Sequence, residues 1–124
     1  MKMIFEKETG DAVKQCIKVS TNCHNICTEA MRYCLIEGGP YAELPHIRNL
    51  IDCSRICVLN ADSMLLESEY EAPIANLCAK VCDNCADSCA RFSDDEKMLL
   101  CSKICRECAE SCRDMIDSHG HTEV

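Results

Sequence analysis

Aromatic residues make up 4% of the 124-residue chain and tryptophan is absent, so the large rings that usually close a small core are scarce. Basic residues are also outnumbered, 13 Lys and Arg against 21 Asp and Glu, for a formal charge of −8. That balance argues against nucleic acid, which needs a basic face, and gives no support for an acidic membrane surface. No stretch approaches the length of a membrane span. The opening residues, Met1 to Gly10, contain acids and no apolar h-region, so the expectation is a cytoplasmic protein. No Ser/His/Asp group, Gly-rich phosphate loop or paired-acid site stands out either, and no enzyme is read from the sequence.

What the chain does have is cysteine, 14 residues of it. The hydrophobic fraction of 48% includes these, and without them it falls to roughly 37%, low for a self-sufficient apolar core. Sulfur must therefore fill much of the interior of what reads as a single domain over 1–124. In a secreted chain such a count would mean a disulfide scaffold. In a reducing cytoplasm, clustered cysteines more often bind metal or carry redox chemistry.

Two near-copies organise the chain: Cys78-Ala-Lys-Val-Cys82-Asp-Asn-Cys85-Ala-Asp-Ser-Cys89 and Cys101-Ser-Lys-Ile-Cys105-Arg-Glu-Cys108-Ala-Glu-Ser-Cys112. Both read C-x3-C-x2-C-x3-C. At about 100° per residue the four thiols fall within an arc of roughly 60° on an α-helix, stacked over about 16 Å. Neither repeat contains Gly or Pro, so nothing interrupts the helical period.

In chain order, Thr9 is a candidate N-cap for a first helix over 11–37, whose Cys16, Cys23, Cys27 and Cys34 lie within roughly 40° of one line. Gly38-Gly39-Pro40 ends it. Pro45 suits the first turn of a second helix over 46–69, which carries only Cys53 and Cys57, with His46, Asn60 and Met64 on the same stripe. Pro73 opens a third helix, 73–92. Ser93 and Glu96 make a capping-box pattern for a fourth, 94–119, with Gly120 as its C-cap and His121 in a terminal tail. Four helices with short connectors predict an all-α, antiparallel up-down-up-down four-helix bundle with a cysteine-lined core. The apolar residues Ile17, Ile26, Leu50, Ile56, Leu77, Val81 and Ile104 are expected to flank the sulfur line as helix seams.

Cysteine acting only as a small hydrophobe would share these stripes with Leu and Ile, which instead fall to the flanks. Zinc wants four converging thiolates and leaves each such site at −2, so no more than about three or four zinc ions are expected. A soft monovalent ion bound near one per thiolate keeps the core close to neutral, and soft thiolates select Cu(I). Two-coordinate Cu(I) needs sulfurs roughly 4 to 4.5 Å apart, which i, i+4 cysteines can present. Six such pairs occur: Cys23/Cys27, Cys53/Cys57, Cys78/Cys82, Cys85/Cys89, Cys101/Cys105 and Cys108/Cys112.

With these pairs and the repeated C-x2-C-A-x2-C at Cys82 to Cys89 and Cys105 to Cys112, the chain resembles the bacterial copper storage proteins over nearly all of residues 11 to 119. The resemblance implies a bundle of the cytosolic type holding multiple Cu(I) ions along its core. It departs in helix two, with only two cysteines.

The expected ligands are the fourteen cysteines, with His46 and Met31 as additional ligands at one mouth. Copper ions are the expected partners, exchanged with a copper chaperone or a small thiol, and a homo-oligomer is compatible with the sequence. The main alternative is a metallothionein-like thiolate buffer for zinc or cadmium. An iron-sulfur protein is weaker because the ferredoxin proline and loops are missing. A thiol-redox protein is weaker because the C-x-x-C pairs sit in mid-helix with no strand before them. His24 lies about 80° off the cysteine line and reads as a seam residue, while Met64, Met98 and Met115 read as core filler beside the stripes.

Overall fold

Thiol and apolar residues recurring every three and four positions give each of four runs one buried face. All four fold as helices in the computed structural model, which describes residues 10–120, with side chains through residue 118. They are α1 (Asp11–Glu37), α2 (Leu44–Leu65), α3 (Glu71–Ala90) and α4 (Glu96–Gly120), with a 3₁₀ turn, Gly39–Ala42, between α1 and α2. Thr9 and His121 lie outside the described residues, and the residue at the N-cap of α1 is Gly10.

α1 has the expected bounds. Gly38 and Gly39 stop it at φ 73° and 55°, where a side chain would be strained. α2 ends at Leu65 rather than Glu69. Glu67 takes φ 52°, its N–H bonds Met64 O at 3.3 Å and that of Ser68 bonds Ser63 O at 2.9 Å. This is a Schellman turn built without glycine, so the sequence carried no signal for it. α3 begins at Glu71, two residues before Pro73; the proline sits third in the first turn, where its missing N–H costs no helical bond. α3 stops at Ala90 instead of Phe92, which turns inward with its N–H on Cys89 O at 3.2 Å. α4 starts at Glu96 rather than 94, and its cap is Asp95, not Ser93: Asp95 Oδ1 accepts the N–H of Met98 at 3.0 Å.

Each helix packs on two neighbours, α1 on α2, α2 on α3, α3 on α4 and α4 on α1, so the four enclose a single axis. Cys16 at the start of α1 meets Cys112 near the end of α4, and Cys34 at the end of α1 meets His46 at the start of α2. Those pairings fix the up-down-up-down antiparallel bundle. All fourteen cysteines are free and fully buried on its axis.

Two seam assignments change. Leu50 is fully buried among the cysteines, because it stands three residues before Cys53 on the same stripe. Leu77, one residue before Cys78 and about 100° away, is 52% exposed. Ile17, Ile26, Ile56, Val81 and Ile104 pack half-buried against the core, as expected. On the surface, Arg106 and Arg113 reach Asp83 and Asp87 from α4 to α3, exposed pairs that contribute little. No described helix is long and apolar enough to cross a membrane.

Candidate metal centre

The cysteines form one network rather than six separate pairs. Within helices, Cys23 and Cys27 stand 4.0 Å apart and Cys78 and Cys82 3.8 Å. The other close contacts cross between helices. Cys27 to Cys105 is 3.6 Å, Cys53 to Cys82 3.7 Å, and Cys23 to Cys105, Cys53 to Cys105, Cys57 to Cys82 and Cys57 to Cys108 are each 3.8 Å. Every described helix therefore contributes sulfur to the same column. Cys85 and Cys89 extend the face of α3 toward the end where α4 begins.

Four groups of four thiols have all their sulfurs within 4.8 Å of one another. They are Cys23/Cys53/Cys57/Cys82, Cys23/Cys27/Cys53/Cys105, Cys27/Cys85/Cys101/Cys105 and Cys57/Cys78/Cys82/Cys108. They overlap heavily. Choosing the first leaves only the third free of shared sulfur, and choosing the second leaves only the fourth, so no more than two can be occupied at once as tetrathiolate sites.

At the end where α1 finishes, the column terminates in mixed ligands. Cys34 Sγ lies 3.4 Å from His46 Nε2 and 3.6 Å from Met98 Sδ. His46 Nδ1 is 2.7 Å from Ser88 Oγ, so both ring nitrogens are held. Burial, and then the nearby Arg91 cation, push the His46 pKa down and keep the ring neutral. Burial, followed by the charge of Cys101, pushes the Cys34 thiol up to about 11. Met31 is half-buried against the core, and Met98 rather than Met31 supplies the thioether on Cys34.

Rings cover this end. Tyr41, brought over by the 3₁₀ turn, stacks on Phe92 at 4.3 Å, and Tyr33 meets Tyr41 edge-on at 5.9 Å. Phe92 leans on His46 at 4.9 Å. Both tyrosine hydroxyls donate to Asp95 Oδ2, at 2.5 and 2.8 Å. The Gly38-Gly39-Pro40 loop thus delivers a ring to the bundle end, where its small residues alone would leave it open.

The opposite end contains an amide layer. Asn60 Nδ2 donates to Ser20 Oγ at 3.0 Å, to Cys112 Sγ at 3.4 Å and to Cys16 Sγ at 3.5 Å. Cys16 and Cys112 are themselves 3.9 Å apart. Hydrogen bonds, first from Cys112 and then from Ser20 and Asn60, hold the Cys16 thiol down against the opposing effect of burial. Asn60 Oδ1 is buried without a partner, which costs about 1–3 kcal/mol. Met64 and Met115 close the column beyond it.

The family model for copper storage proteins matches residues 9–117. The chain belongs to the copper storage protein family. A crystal structure of a protein from Nitrosospira multiformis aligns with a TM-score of 0.79 at 35% identity, covering 86% of this chain and 96% of that one. The Cu(I)-bound copper storage protein BsCsp3 aligns with a TM-score of 0.79 at 30% identity, over 85% of this chain and 98% of its own. A cytosolic copper storage protein from Streptomyces lividans, solved with five coppers, gives a TM-score of 0.75 at 26% identity over 86% and 93% of the two chains. Among curated sequences, an uncharacterised cysteine-rich protein of Bacillus subtilis is 32% identical over 80 residues, 64% of this chain and 74% of the relative.

For a copper storage protein, the residues that the sequence reading passed over are Ser20, Ser88 and the thioether of Met98. A signal for two of them was present. Continuing the alternation of four and three from Cys16, Cys23, Cys27 and Cys34 fills positions 20 and 30 with Ser20 and Ala30, and in α4 it reaches Met98 and Met115. These are slots on the sulfur stripe occupied by other residues. Ser88 lies off the stripe and is found only through its contact with His46. His24 behaves as a seam residue, with Nδ1 2.8 Å from Ser54 Oγ across α1 and α2.

Proposed function

We propose that this chain stores and sequesters Cu(I), holding multiple cuprous ions on the thiolates of its fourteen core cysteines. The observation that carries the reading is the continuous column of free, fully buried thiols 3.6 to 4.0 Å apart. Such distances suit bridging Cu(I) after a small adjustment, and one monovalent ion per thiolate leaves the buried column near neutral. The Cu(I)-bound state of BsCsp3 supports the same assignment. His46 serves as an end ligand beside Cys34, with Met31 as a further thioether at this end.

This reading assigns the chain no catalytic role. One domain spans the chain. The cytosolic relative from Streptomyces lividans supports a cytoplasmic setting, and the exposed Leu65, Leu66 and Leu77 support a homo-oligomer. Exchange partners are a copper chaperone or a small thiol.

The test is a titration of the reduced protein with Cu(I) against a chromophoric chelator. Saturation on the order of 10 to 15 ions per chain is expected from near one-to-one thiolate binding. An end point at four or fewer would overturn the storage reading.

A further inference from the structure

Where α2 begins and α3 ends, a surface cleft of about 430 Å³ opens onto His46 from the side of the bundle. A bare Cu(I) ion has no use for such a volume, which lies in the range that holds small organic ligands. Its walls carry both signs of charge, with Glu43 and Asp87 as carboxylates and Arg91 as the cation. Arg91 Nη2 reaches Ser88 Oγ at 3.4 Å, and the same hydroxyl meets His46 Nδ1 at 2.7 Å. The ring of His46 is thus the partition. One nitrogen faces the cleft wall and the other stands 3.4 Å from Cys34 Sγ in the column. Along the bundle axis, Tyr33, Tyr41 and Phe92 cover this end, while from the side the cleft leads to His46, which is itself fully buried behind the cleft wall.

We propose, building on the storage reading, that copper passes this end sideways through the cleft, carried as the Cu(I) complex of a small zwitterionic thiol that docks between Arg91 and the two carboxylates. Cuprous thiolate complexes are anionic, and a chain of formal charge −8 repels them except where a guanidinium is presented. The carrier's carboxylate faces Arg91, and its ammonium group faces Glu43 and Asp87. Transfer is a ligand exchange with no change of oxidation state. The carrier S–Cu bond breaks, a Cys34 S–Cu bond forms, and the Cys34 proton leaves on the carrier thiolate. His46 takes the metal at Nε2 and keeps its single proton at Nδ1, where Ser88 Oγ accepts it. Met98 Sδ completes the site before the ion moves inward.

The experiment compares stopped-flow uptake from two donors: Cu(I) in excess glutathione, a zwitterionic tripeptide thiol, and Cu(I) held by bicinchoninate, a bulky chelator that delivers copper by dissociation. Asn84, exposed on the cleft wall, is replaced in Asn84→Trp to fill the cleft, and Arg91→Glu reverses its cation. Both variants are expected to slow uptake from the glutathione complex by about tenfold or more while matching the parent with the chelator. Arg91→Glu keeps the test intact if the tryptophan perturbs α3. Unchanged rates in both variants, or equal slowing with both donors, would overturn the port. Failure of the storage reading is separate, because it would show as a low capacity of the parent protein with either donor.

Discussion

Offered zinc instead of Cu(I), the reduced protein is expected to saturate at about two ions per chain. Structural zinc takes four ligands in a tetrahedron, and only the four overlapping groups bring four thiols within 4.8 Å. Three disjoint choices exist: Cys27/Cys85/Cys101/Cys105 pairs with Cys23/Cys53/Cys57/Cys82 or with Cys57/Cys78/Cys82/Cys108, and the latter also pairs with Cys23/Cys27/Cys53/Cys105. Each leaves the remaining six cysteines without a tetrathiolate partner set. The structure therefore tightens the ceiling of about three or four that the sequence sets. Cu(I), satisfied by two or three sulfurs, has no such restriction, and the ratio of capacities should be fivefold or more, roughly. Metal analysis of protein dialysed from excess zinc measures it. Four or more zinc ions per chain would mean that the column rearranges into separate clusters, favouring a general thiolate buffer.

The second large effect is on stability. Without metal the bundle is expected to be helical and to melt cooperatively, because its thiols are neutral near pH 7 and fill the core as small apolar groups. Each site at a free Cu(I) level of a thousand times its Kd then adds about 4 kcal/mol, provided the unfolded chain binds poorly. At about 2–8 °C per kcal/mol, a few occupied sites should raise Tm by more than 20 °C. Stripping copper with a strong chelator should return Tm to the apo value. Thermal melts followed by circular dichroism give both numbers. Random-coil spectra for the reduced apo protein would contradict a preformed column.

Local information in the sequence went a long way. The 4-3-4 spacing in α3 and α4 and the 7-4-7 spacing in α1 are properties of one helix each and place twelve thiols on inward faces, and the i, i+4 pair Cys53/Cys57 does the same for α2. The Gly38-Gly39 stop was equally readable. Helix ends set by longer reach were not. Glu67 at φ 52° adopts a conformation that its residue type disfavours, and Asp95 gains its capping position together with the hydroxyls of Tyr33 and Tyr41. Phe92 stands far in sequence from Tyr33 and Tyr41, so their stack over His46 becomes visible only when α1, the 3₁₀ turn and the segment after α3 converge. Likewise, C-x3-C spacing reveals the pairs along a helix, while contacts such as Cys27 to Cys105 depend on the relative stagger of α1 and α4. The overlap of the thiol groups, which decides the zinc limit, belongs to that second class.

The most direct measurement is anomalous scattering at the copper absorption edge from crystals of the fully loaded protein. The account predicts a column of copper sites inside the bundle, running from the level of Cys34 to that of Cys112, each about 2.2 Å from cysteine sulfur, two or three sulfurs per ion along the column and Cys34 with His46 at its end. Copper confined to surface carboxylates and histidines, with the fourteen cysteines unliganded or joined in disulfides, would contradict it.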